Sequence, residues 1–443
     1  MNAATRAAHR SGRERRVPTY CYQCVAGPDL LCVREVDGVA TEVEPNFAAA
    51  AVHPGAGKVC VKAYGLVQKT YNPNRIVTPM KRTNPRKGRG EDPRFEPISW
   101  DEALELIAAR LRHVRSGGLT DESGYPRVAA SFGGGGTPQW YMGTFPAFLS
   151  AWGPVDLGFG SGQGVKCYHS EHLYGELWHR AFTVSPDTPL CDYLISCGAN
   201  VEASGGVVGI RRHAEARARG MTRIQVEPHL SVTGACSAKW VPIRPKTDAA
   251  FLFALVHVLL HRIARTRLDL AFLARHTASP YLVGPHGYYL RERGTGKPLV
   301  FDTSRNAAIA FDAPGTADAP EAVEALEGAW DVDAVEIGAD GEVLGDGIAR
   351  GETAFSKLVA HVAGYSPEWA QAICDVPATT IETIAREFVD HARIGETIEI
   401  DGERLPYRPV AVSLGKTVNN GWGGYECCWA RTVLASLVGA LEV

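Results

Sequence analysis

The stretch DYLISCGANVEASGGVVGIRRHAEARARGMTRIQVEPH, residues 192–229, predicts a strand, a helix and a second strand. Asp192–Ser196 and Thr222–Val226 are short apolar runs, and a basic amphipathic pattern lies between them. Strands that alternate with helices are typical of parallel βαβ units. Further strands are predicted at Tyr125–Ser131 and Val241–Ile243. The sequence therefore predicts an α/β fold with mainly parallel sheets.

Composition narrows the class of protein. The chain has 443 residues, with 45% hydrophobic and 21% charged residues, which is typical of a soluble globular protein with more than one domain. Its formal net charge of -3 gives no reason to expect nucleic-acid binding. No apolar run approaches the roughly 18 residues of a membrane helix. The longest, residues 249–264, contains two histidines and an arginine and predicts a buried helix.

Three polar loops follow predicted strands, and parallel sheets bind ligands in such loops. They are CGANVEAS (197–204), EPHLSVTG (227–234) and RPKTDAA (244–250). No G-x-G-x-x-G follows a strand and no P-loop sequence occurs, so ordinary dinucleotide and nucleoside-triphosphate sites are disfavoured.

Four of the 11 cysteines lie in the first 60 residues: Cys21, Cys24, Cys32 and Cys60. Asp37-Gly38, between alternating valines and charges, predicts a hairpin after the Cys-x-x-Cys pair. Thiolates on loops beside one hairpin can converge on one metal site. Structural zinc and an iron–sulfur cluster both fit this arrangement.

The wider pattern resembles the molybdopterin oxidoreductase family, which includes dimethyl sulfoxide reductase and formate dehydrogenase. The resemblance rests on the cysteine pair, the hairpin, Cys60-Val61-Lys62, NPNRIVTPM (72–80) and PISWDEALELIAARL (97–111). In the last segment, Ser99 and Glu102 predict a capped helix start, and an apolar face is predicted at Trp100, Leu104, Ile107 and Leu111. It implies a [4Fe–4S] cluster, with Lys62 between the cluster and the pterin. It also implies that the C-terminal barrel of the family is absent and that the chain is the N-terminal part of a larger catalytic polypeptide.

The cluster motif departs from the family at one position. Where the family has its third cysteine, this chain has Pro28, followed by Asp29. Either Cys32 is a ligand, or Asp29 supplies an oxygen ligand and Cys32 packs in the hairpin. Thiolate suits iron–sulfur better than carboxylate, which favours Cys32. The predicted metal ligands are therefore Cys21, Cys24, Cys32 and Cys60.

The three polar loops resemble the family's pterin-nucleotide-binding loops. The resemblance implies bis-molybdopterin guanine dinucleotide, and the matching positions are Gly198, Asn200, Glu227, Pro228, Thr247 and Asp248. The departures are Glu227 for aspartate, His229 for arginine and Lys246 for glycine.

Cys167 occupies the position of the family's ligand to molybdenum or tungsten, at the start of a segment expected to be helical. A thiolate there is stabilised by the N–H dipoles of the helix start. The alternative is a buried structural cysteine. We expect His169 and His172 near the substrate as bases, because the unperturbed pKa of histidine is near neutrality. The alternative for both is hydrogen bonding to backbone in a polar patch.

The predicted domain organisation has four parts. They are a disordered basic arm (1–18), an iron–sulfur domain (19–80), a second α/β domain (81–165 with 408–443) and a pterin-nucleotide-binding α/β domain (166–407). No export signal is recognised in the basic arm, so we expect a cytoplasmic protein.

Within the family, YCYQCVAGPDLL and GWGGYECCW resemble the large subunit of phenylacetyl-CoA:acceptor oxidoreductase. That implies water-dependent oxidation of an activated methylene, with electrons leaving through the cluster to an iron–sulfur partner subunit. A membrane-anchor subunit is a further partner that the family implies. The alternatives are a sulfur-oxyanion or polysulfide reductase, and a cofactor-free iron–sulfur scaffold for electron transfer.

Overall fold

The structure, a computed structural model, divides into two compact units. The residues that it describes are 13–21, 29–132, 144–159, 175, 185–313, 324–420 and 423–441. The first unit comprises Met1–Cys167 and Ser204–Arg211, and the second comprises Tyr168–Ala203 and Arg212–Val443.

The first unit begins with a three-stranded antiparallel sheet. Its strands, in spatial order, are β1 (Glu14–Tyr20), β2 (Leu30–Val36) and β3 (Val39–Pro45). Asp37 and Gly38 join β2 to β3 with φ angles of 53° and 82°. Two successive residues with positive φ are what a two-residue hairpin requires, so the predicted hairpin is confirmed.

The other elements of the first unit are a short helix, two small strand pairs and two longer helices. In chain order they are α1 (Leu66–Thr70), β4 (Met80–Arg82), β5 (Phe95–Pro97), α2 (Trp100–Ser116), β6 (Ala129–Phe132), α3 (Thr144–Trp152) and β7 (Asp156–Phe159). β4 and β5 pair antiparallel, and β6 and β7 pair parallel.

Helix α2 shows the predicted start but not a buried face. The Ser99 side chain accepts a hydrogen bond from the Glu102 backbone N–H at 3.1 Å, as a capping box requires. The apolar face that periodicity predicts is solvent-accessible, and Trp100 is 68% exposed. No described residue of α2 is buried. Periodicity establishes that a helix has an apolar face, but not what covers it.

The second unit is built from a parallel sheet, helices and antiparallel strands. Its strands are β8 (Tyr193–Cys197), β9 (Thr222–Val226), β10 (Lys239–Val241), β11 (Leu282–Val283), β12 (Leu290–Arg291), β13 (Leu299–Asp302), β14 (Ala307–Ala310), β15 (Ala329–Ile337), β16 (Val343–Thr353), β17 (Thr397–Ile400), β18 (Glu403–Pro406) and β19 (Val410–Leu414). Two helices, α4 (Val201–Ser204) and α5 (Gly206–Arg219), include residues of both units. The remaining α-helices of the described ranges are α6 (Val232–Ala235), α7 (Asp248–His261), α8 (Leu270–His276), α9 (Ala354–Val362), α10 (Pro367–Cys374), α11 (Ala378–His391), α12 (Lys416–Asn419) and α13 (Gly424–Leu437).

The central sheet of the second unit has the order β10-β9-β8-β19, and all its neighbours are parallel. The predicted α/β fold is confirmed, because β8, α5 and β9 form the βαβ unit that residues 192–229 indicated. Residues 408–443 were expected to belong with residues 81–165. The structure instead places β19 beside β8, in register from Val410 and Tyr193 onward.

Helix α7 is the centre of the apolar core of the second unit. Phe251, Leu252, Leu255 and Leu259 have no exposed surface, and the core cluster that contains them also includes residues of α10, α11 and α13. A helix that is apolar on all sides is expected to be buried on all sides. The predicted buried helix is confirmed.

The antiparallel part of the second unit comprises a four-stranded sheet of order β11-β16-β15-β12 and two strand pairs, β13–β14 and β17–β18. None of the helices within the described ranges combines the length and the apolar character that a bilayer crossing requires.

Candidate functional site

The carboxyl ends of β8 and β19 meet at a topological switch point. From β8 the chain continues to β9 and β10 on one side, and β19 later joins the other side of β8. In open parallel sheets, ligands bind in the crevice outside the strand ends at such a point. The predicted loop at Gly198–Asn200 follows β8 directly, and the loop that begins at Gly415 follows β19.

Two glycines allow the backbones of these loops to approach closely. Gly198 has φ +70°, and a Cβ there would lie 2.8 Å from Val418 Cγ2. A Cβ on Gly415 would lie 2.6 Å from the carbonyl carbon and oxygen of Gly198. Side chains at either position would therefore separate the two loops.

Asn419, the last residue of helix α12 after β19, is completely buried. Neither its Oδ1 nor its Nδ2 has a hydrogen-bond partner among the described residues, and the buried Oδ1 of Asn420 has none either. Buried amides without partners are costly, and a polar ligand is one way to satisfy them. Asn419 was not among the predicted site residues, and a single sequence holds no signal that separates it from any other asparagine.

Asn200 ties the loop after β8 to the start of α6. Its Oδ1 accepts hydrogen bonds from Thr233 Oγ1 at 3.0 Å and from Thr233 N at 3.3 Å. The backbone N–H of Glu202 donates to Thr233 Oγ1 at 3.1 Å. The polar loops after β8 and β9 are therefore held together by hydrogen bonds, as expected for two loops at the edge of one sheet.

Glu227 closes the loop that follows β9. It is 4% exposed; its Oε1 accepts from the Ser231 N–H at 2.8 Å, and its Oε2 accepts from Gln225 Nε2 at 3.0 Å. A Cβ on Gly234 would lie 2.6 Å from Glu227 Oε1, so this side of the carboxylate is closely packed. Pro228 is exposed beside it. The carboxylate thus shapes the loop through its own hydrogen bonds.

Arg223 forms a buried polar network that was not predicted from the sequence. Its guanidinium, with no exposed surface, pairs with Glu202 at 2.7 Å. It also donates to His213 Nδ1 at 2.7 Å and to the Thr233 carbonyl oxygen at 3.1 Å. A charged residue inside the short strand TRIQV was the available signal, because arginine is almost never fully buried unless it is paired.

The two ionisable partners of Arg223 have shifted pKa values. Burial alone would raise the pKa of Glu202, but hydrogen bonds from Thr233 and Arg223 and the arginine charge outweigh it, and the pKa is lowered. Burial and the neighbouring Arg223 charge lower the pKa of His213, against a smaller opposing effect of Glu202. His213 is therefore neutral at pH 7 and accepts at Nδ1, since the arginine can only donate.

Lys246 occupies a position where the family that the sequence resembles has glycine. Its φ of 65° lies in the left-handed region that favours glycine. Its Nζ donates to the carbonyl oxygens of Thr417 at 2.6 Å and Asn420 at 2.5 Å. This lysine therefore fastens the third predicted loop to the loop after β19.

Thr247 and Asp248 start helix α7. The Thr247 hydroxyl donates to the Arg244 carbonyl oxygen at 2.7 Å. Burial raises the pKa of Asp248, and a backbone hydrogen bond and Lys246 oppose that shift only in part. The Asp248 carboxylate in turn raises the pKa of the buried Cys197 thiol, although burial is the larger cause. Because Lys246, two residues before Asp248, is bonded to the segment after β19, the start of α7 lies at the same edge of the sheet.

The predicted iron–sulfur residues belong to the first unit. Cys21 is buried and Cys60 is half-buried. Asp29 lies between their backbones. Its carbonyl oxygen accepts from Cys21 N at 2.8 Å, and its Oδ2 accepts from Cys60 N at 3.0 Å. Cys32 lies within β2, three residues further along, and Lys62 is exposed in a short 3₁₀ helix, Val61–Gly65.

Four predicted residues lie outside the described ranges: Cys24, Cys167, His169 and His172. Within those ranges, no three His, Cys, Asp or Glu side chains are grouped so that they could hold a metal ion. A cavity of about 1220 Å³ in the second unit is lined by residues of α8, α9 and α13, among others, and by none of the predicted site residues.

The family model described as molybdopterin oxidoreductase matches residues 75–443. The chain is 26% identical over 462 residues to a sulfite dehydrogenase polypeptide of Allochromatium vinosum, and the match covers 97% of this chain and 43% of that protein. It is 26% identical over 260 residues to the molybdopterin-containing polypeptide of an arsenate respiratory reductase from a Shewanella species, covering 57% and 28% respectively.

Among solved structures, acetylene hydratase from Pelobacter acetylenicus matches with a TM-score of 0.60 at 16% identity, over 96% of this chain and 44% of that one. This likeness supports the fold alone. The chain spans less than half the length of each of these three proteins.

Proposed function

Because this chain belongs to the molybdopterin oxidoreductase family, we propose that it binds a molybdopterin guanine dinucleotide cofactor at the carboxyl ends of β8, β9 and β19. The observation that carries this proposal is the buried, unsatisfied amide of Asn419 at the switch point of the sheet. The close approach of the loops at Gly198 and Gly415 would let backbone N–H groups reach the cofactor.

The residues present fit such a cofactor in a specific way. The amide of Asn419, which has no partner among the described residues, can both donate to and accept from a pterin or a nucleotide. Glu227 and Asn200 already hydrogen-bond within the protein, so their main role is to hold the loops in place. Asp248 is buried with a raised pKa, and it adds a carboxyl group at the same edge of the sheet. Gly198, Pro228 and Thr247 complete the proposed set.

When bound, the cofactor would supply a molybdenum or tungsten centre for two-electron redox chemistry. We propose Cys167 as the protein ligand to that metal, and His169 and His172 as groups that take protons from the substrate or its water. Such a base must lie within hydrogen-bond reach of the reacting group. These three roles are supported by the resemblance of the sequence to the family.

We further propose a [4Fe–4S] cluster at Cys21, Cys24 and Cys60, with Lys62 between it and the pterin. The protein would work as part of a catalytic large subunit in the cytoplasm. Electrons would leave through the cluster to a partner iron–sulfur subunit, and a membrane-anchor subunit is a further partner. No nucleic acid is expected to bind.

The proposed substrate is an activated methylene such as that of phenylacetyl-CoA, oxidised with water. Its support is the resemblance of YCYQCVAGPDLL and GWGGYECCW. The second candidate is a sulfur oxyanion, favoured by the names of two relatives, the sulfite dehydrogenase of Allochromatium vinosum and a thiosulfate reductase of Salmonella typhimurium. Anaerobic assays of the full-length protein with phenylacetyl-CoA, sulfite and thiosulfate separate the two: turnover of one class alone decides between them.

The test of the cofactor site is metal and nucleotide analysis of the purified full-length protein. We expect molybdenum or tungsten, iron, and guanine nucleotide released by acid. Asn419→Leu should lower molybdenum or tungsten and guanine together while iron stays unchanged. Asn306→Gly is the matched control, since it removes an amide from a left-handed turn of the same unit, outside the site.

Two results would contradict the proposal. Iron without molybdenum, tungsten or guanine would instead support the cofactor-free scaffold for electron transfer. Full guanine content in folded Asn419→Leu protein would remove Asn419 from the site.

A further inference from the structure

Asp29 is the residue that connects the backbones of two proposed cluster cysteines. It is 3% exposed and lies directly before β2. Its carbonyl oxygen accepts from the Cys21 N–H, and its carboxylate Oδ2 accepts from the Cys60 N–H. Its other carboxylate oxygen, Oδ1, is buried and has no hydrogen-bond partner among the described residues.

A carboxylate in this state is energetically unfavourable by itself. Buried ionised groups are normally paired with an opposite charge or bound to a metal, because loss of hydration is otherwise uncompensated. Within the described residues, the only hydrogen bond to the carboxylate of Asp29 comes from Cys60, and it forms no ion pair. A cation at Oδ1 would compensate the charge.

Cys32 lies on the wrong face of the sheet to join Cys21. Leu31 packs with Cys21 in the small apolar core of the first unit, and Val33 packs against that core. Successive side chains of a strand point to opposite faces, so Cys32, between these two residues, points away from the core. On that side its neighbour in β3 is Glu44, whose carboxylate forms an ion pair at the surface.

We propose that Asp29, and not Cys32, supplies the fourth ligand of the iron–sulfur cluster, binding one iron through its carboxylate. This inference rests on the proposed function, which supplies the cluster. Binding transfers no electron, since the carboxylate donates a lone pair to iron. Replacing a thiolate ligand by a weaker electron donor raises the reduction potential of a cluster. The carboxylate would therefore give this cluster a higher potential than an all-cysteine cluster in the same place.

The test compares the full-length wild-type protein with Asp29→Cys, Asp29→Ala and, as the matched control, Cys32→Ala, all isolated without oxygen. Iron per chain, the electron paramagnetic resonance spectrum after reduction, and the midpoint potential are measured. We expect Cys32→Ala to match the wild type in all three. Asp29→Ala should lose one iron and show the spectrum of a three-iron cluster. Asp29→Cys should keep its iron and have a lower midpoint potential.

Several outcomes would overturn the proposal. One is loss of iron in Cys32→Ala; another is an unchanged potential in iron-loaded Asp29→Cys; a third is a wild-type spectrum in Asp29→Ala. The Asp29→Cys and Cys32→Ala proteins keep the test decisive if Asp29→Ala does not fold. If the wild-type protein contains no iron, the proposed cluster itself is refuted, which is a different result from refuting Asp29 as its ligand.

Discussion

Replacing Arg223 by methionine should destabilise the second unit strongly, because it removes the central cation of a buried network. Methionine retains an unbranched chain of similar length while removing the guanidinium. Glu202, whose side chain is 11% exposed, would lose its ion pair. His213 Nδ1, the Thr233 carbonyl oxygen and Ser237 Oγ would each lose a donor.

The magnitude follows from what is left unsatisfied. Removing one partner of a buried ion pair typically costs about 3–5 kcal/mol. The Thr233 hydroxyl still bonds Glu202, which favours the lower part of that range. The double variant Arg223→Met, Glu202→Gln leaves no uncompensated charge, so it should be more stable than Arg223→Met alone.

The control is Arg293→Met, which removes an arginine that is 43% exposed from ion pairs with Asp333 and Asp346. Exposed pairs contribute roughly 0–1 kcal/mol, so this variant should be nearly neutral. Hydrogen exchange of the full-length protein is followed by mass spectrometry of peptides from β8 and β9, the strands where we expect the loss of stability. An Arg223→Met protein with the same exchange as Arg293→Met, or a double variant no more stable than the single one, would refute the reasoning.

Three further predictions concern the same edge of the sheet. Gly198→Ala places a Cβ 2.8 Å from Val418 Cγ2, at a residue with positive φ. We expect the free energy of unfolding in urea to fall by about 1–3 kcal/mol and the bound guanine to decrease. Unchanged stability and guanine content would contradict the close approach of the two loops. Lys246→Gly and Lys246→Val both lose the hydrogen bonds of Nζ, but only valine is strained at a φ of 65°, so Lys246→Val should have the lower unfolding midpoint; equal midpoints of the two variants would show that the backbone strain is absent. Stability should also fall on acidification, because the folded protein holds the pKa of His213 below its usual 6.5 and that of Glu202 below its usual 4.5. The unfolded chain then binds more protons than the folded chain, so stability is lost as the pH falls below about 6.5 and again below about 4.5. Urea unfolding midpoints measured from pH 8 to pH 4 should fall less steeply near pH 6 in His213→Gln than in the wild-type protein. The same slope in both proteins would show that His213 does not cause the loss of stability.

Local pattern predicted much of the framework. The βαβ unit within residues 192–229, the hairpin at Asp37-Gly38 and the capped start of α2 all appear where the sequence indicates them. Each depends on residues within a few positions of one another, through alternation, helical periodicity or a turn. The family resemblance likewise rests on short motifs, and the family match confirms it.

Candidate residues could be proposed from sequence, but their roles depended on distant partners. Glu227 was expected to hold the nucleotide, and the structure shows its oxygens hydrogen-bonded to Ser231 and Gln225. Asn419 carries no sequence signal, although burial at the strand ends makes it the clearest open amide of the site. Burial depends on everything that surrounds a side chain, and a short motif does not contain that information.

The local elements, the polar loops and the cysteine pair could be recognised from the order of the amino acids alone, because short-range sterics and hydrogen bonds act between near neighbours in the chain. How those parts combine depends on contacts between residues that are far apart in the chain. Lys246 meets Thr417 across 171 residues, and Asp29 meets Cys60 across 31. Cys32 and Asp29 were open alternatives in the sequence. The pairing of β2 in its sheet is what favours the proposal of Asp29, because it turns Cys32 away from the core, while Asp29 is buried with no partner for Oδ1 among the described residues.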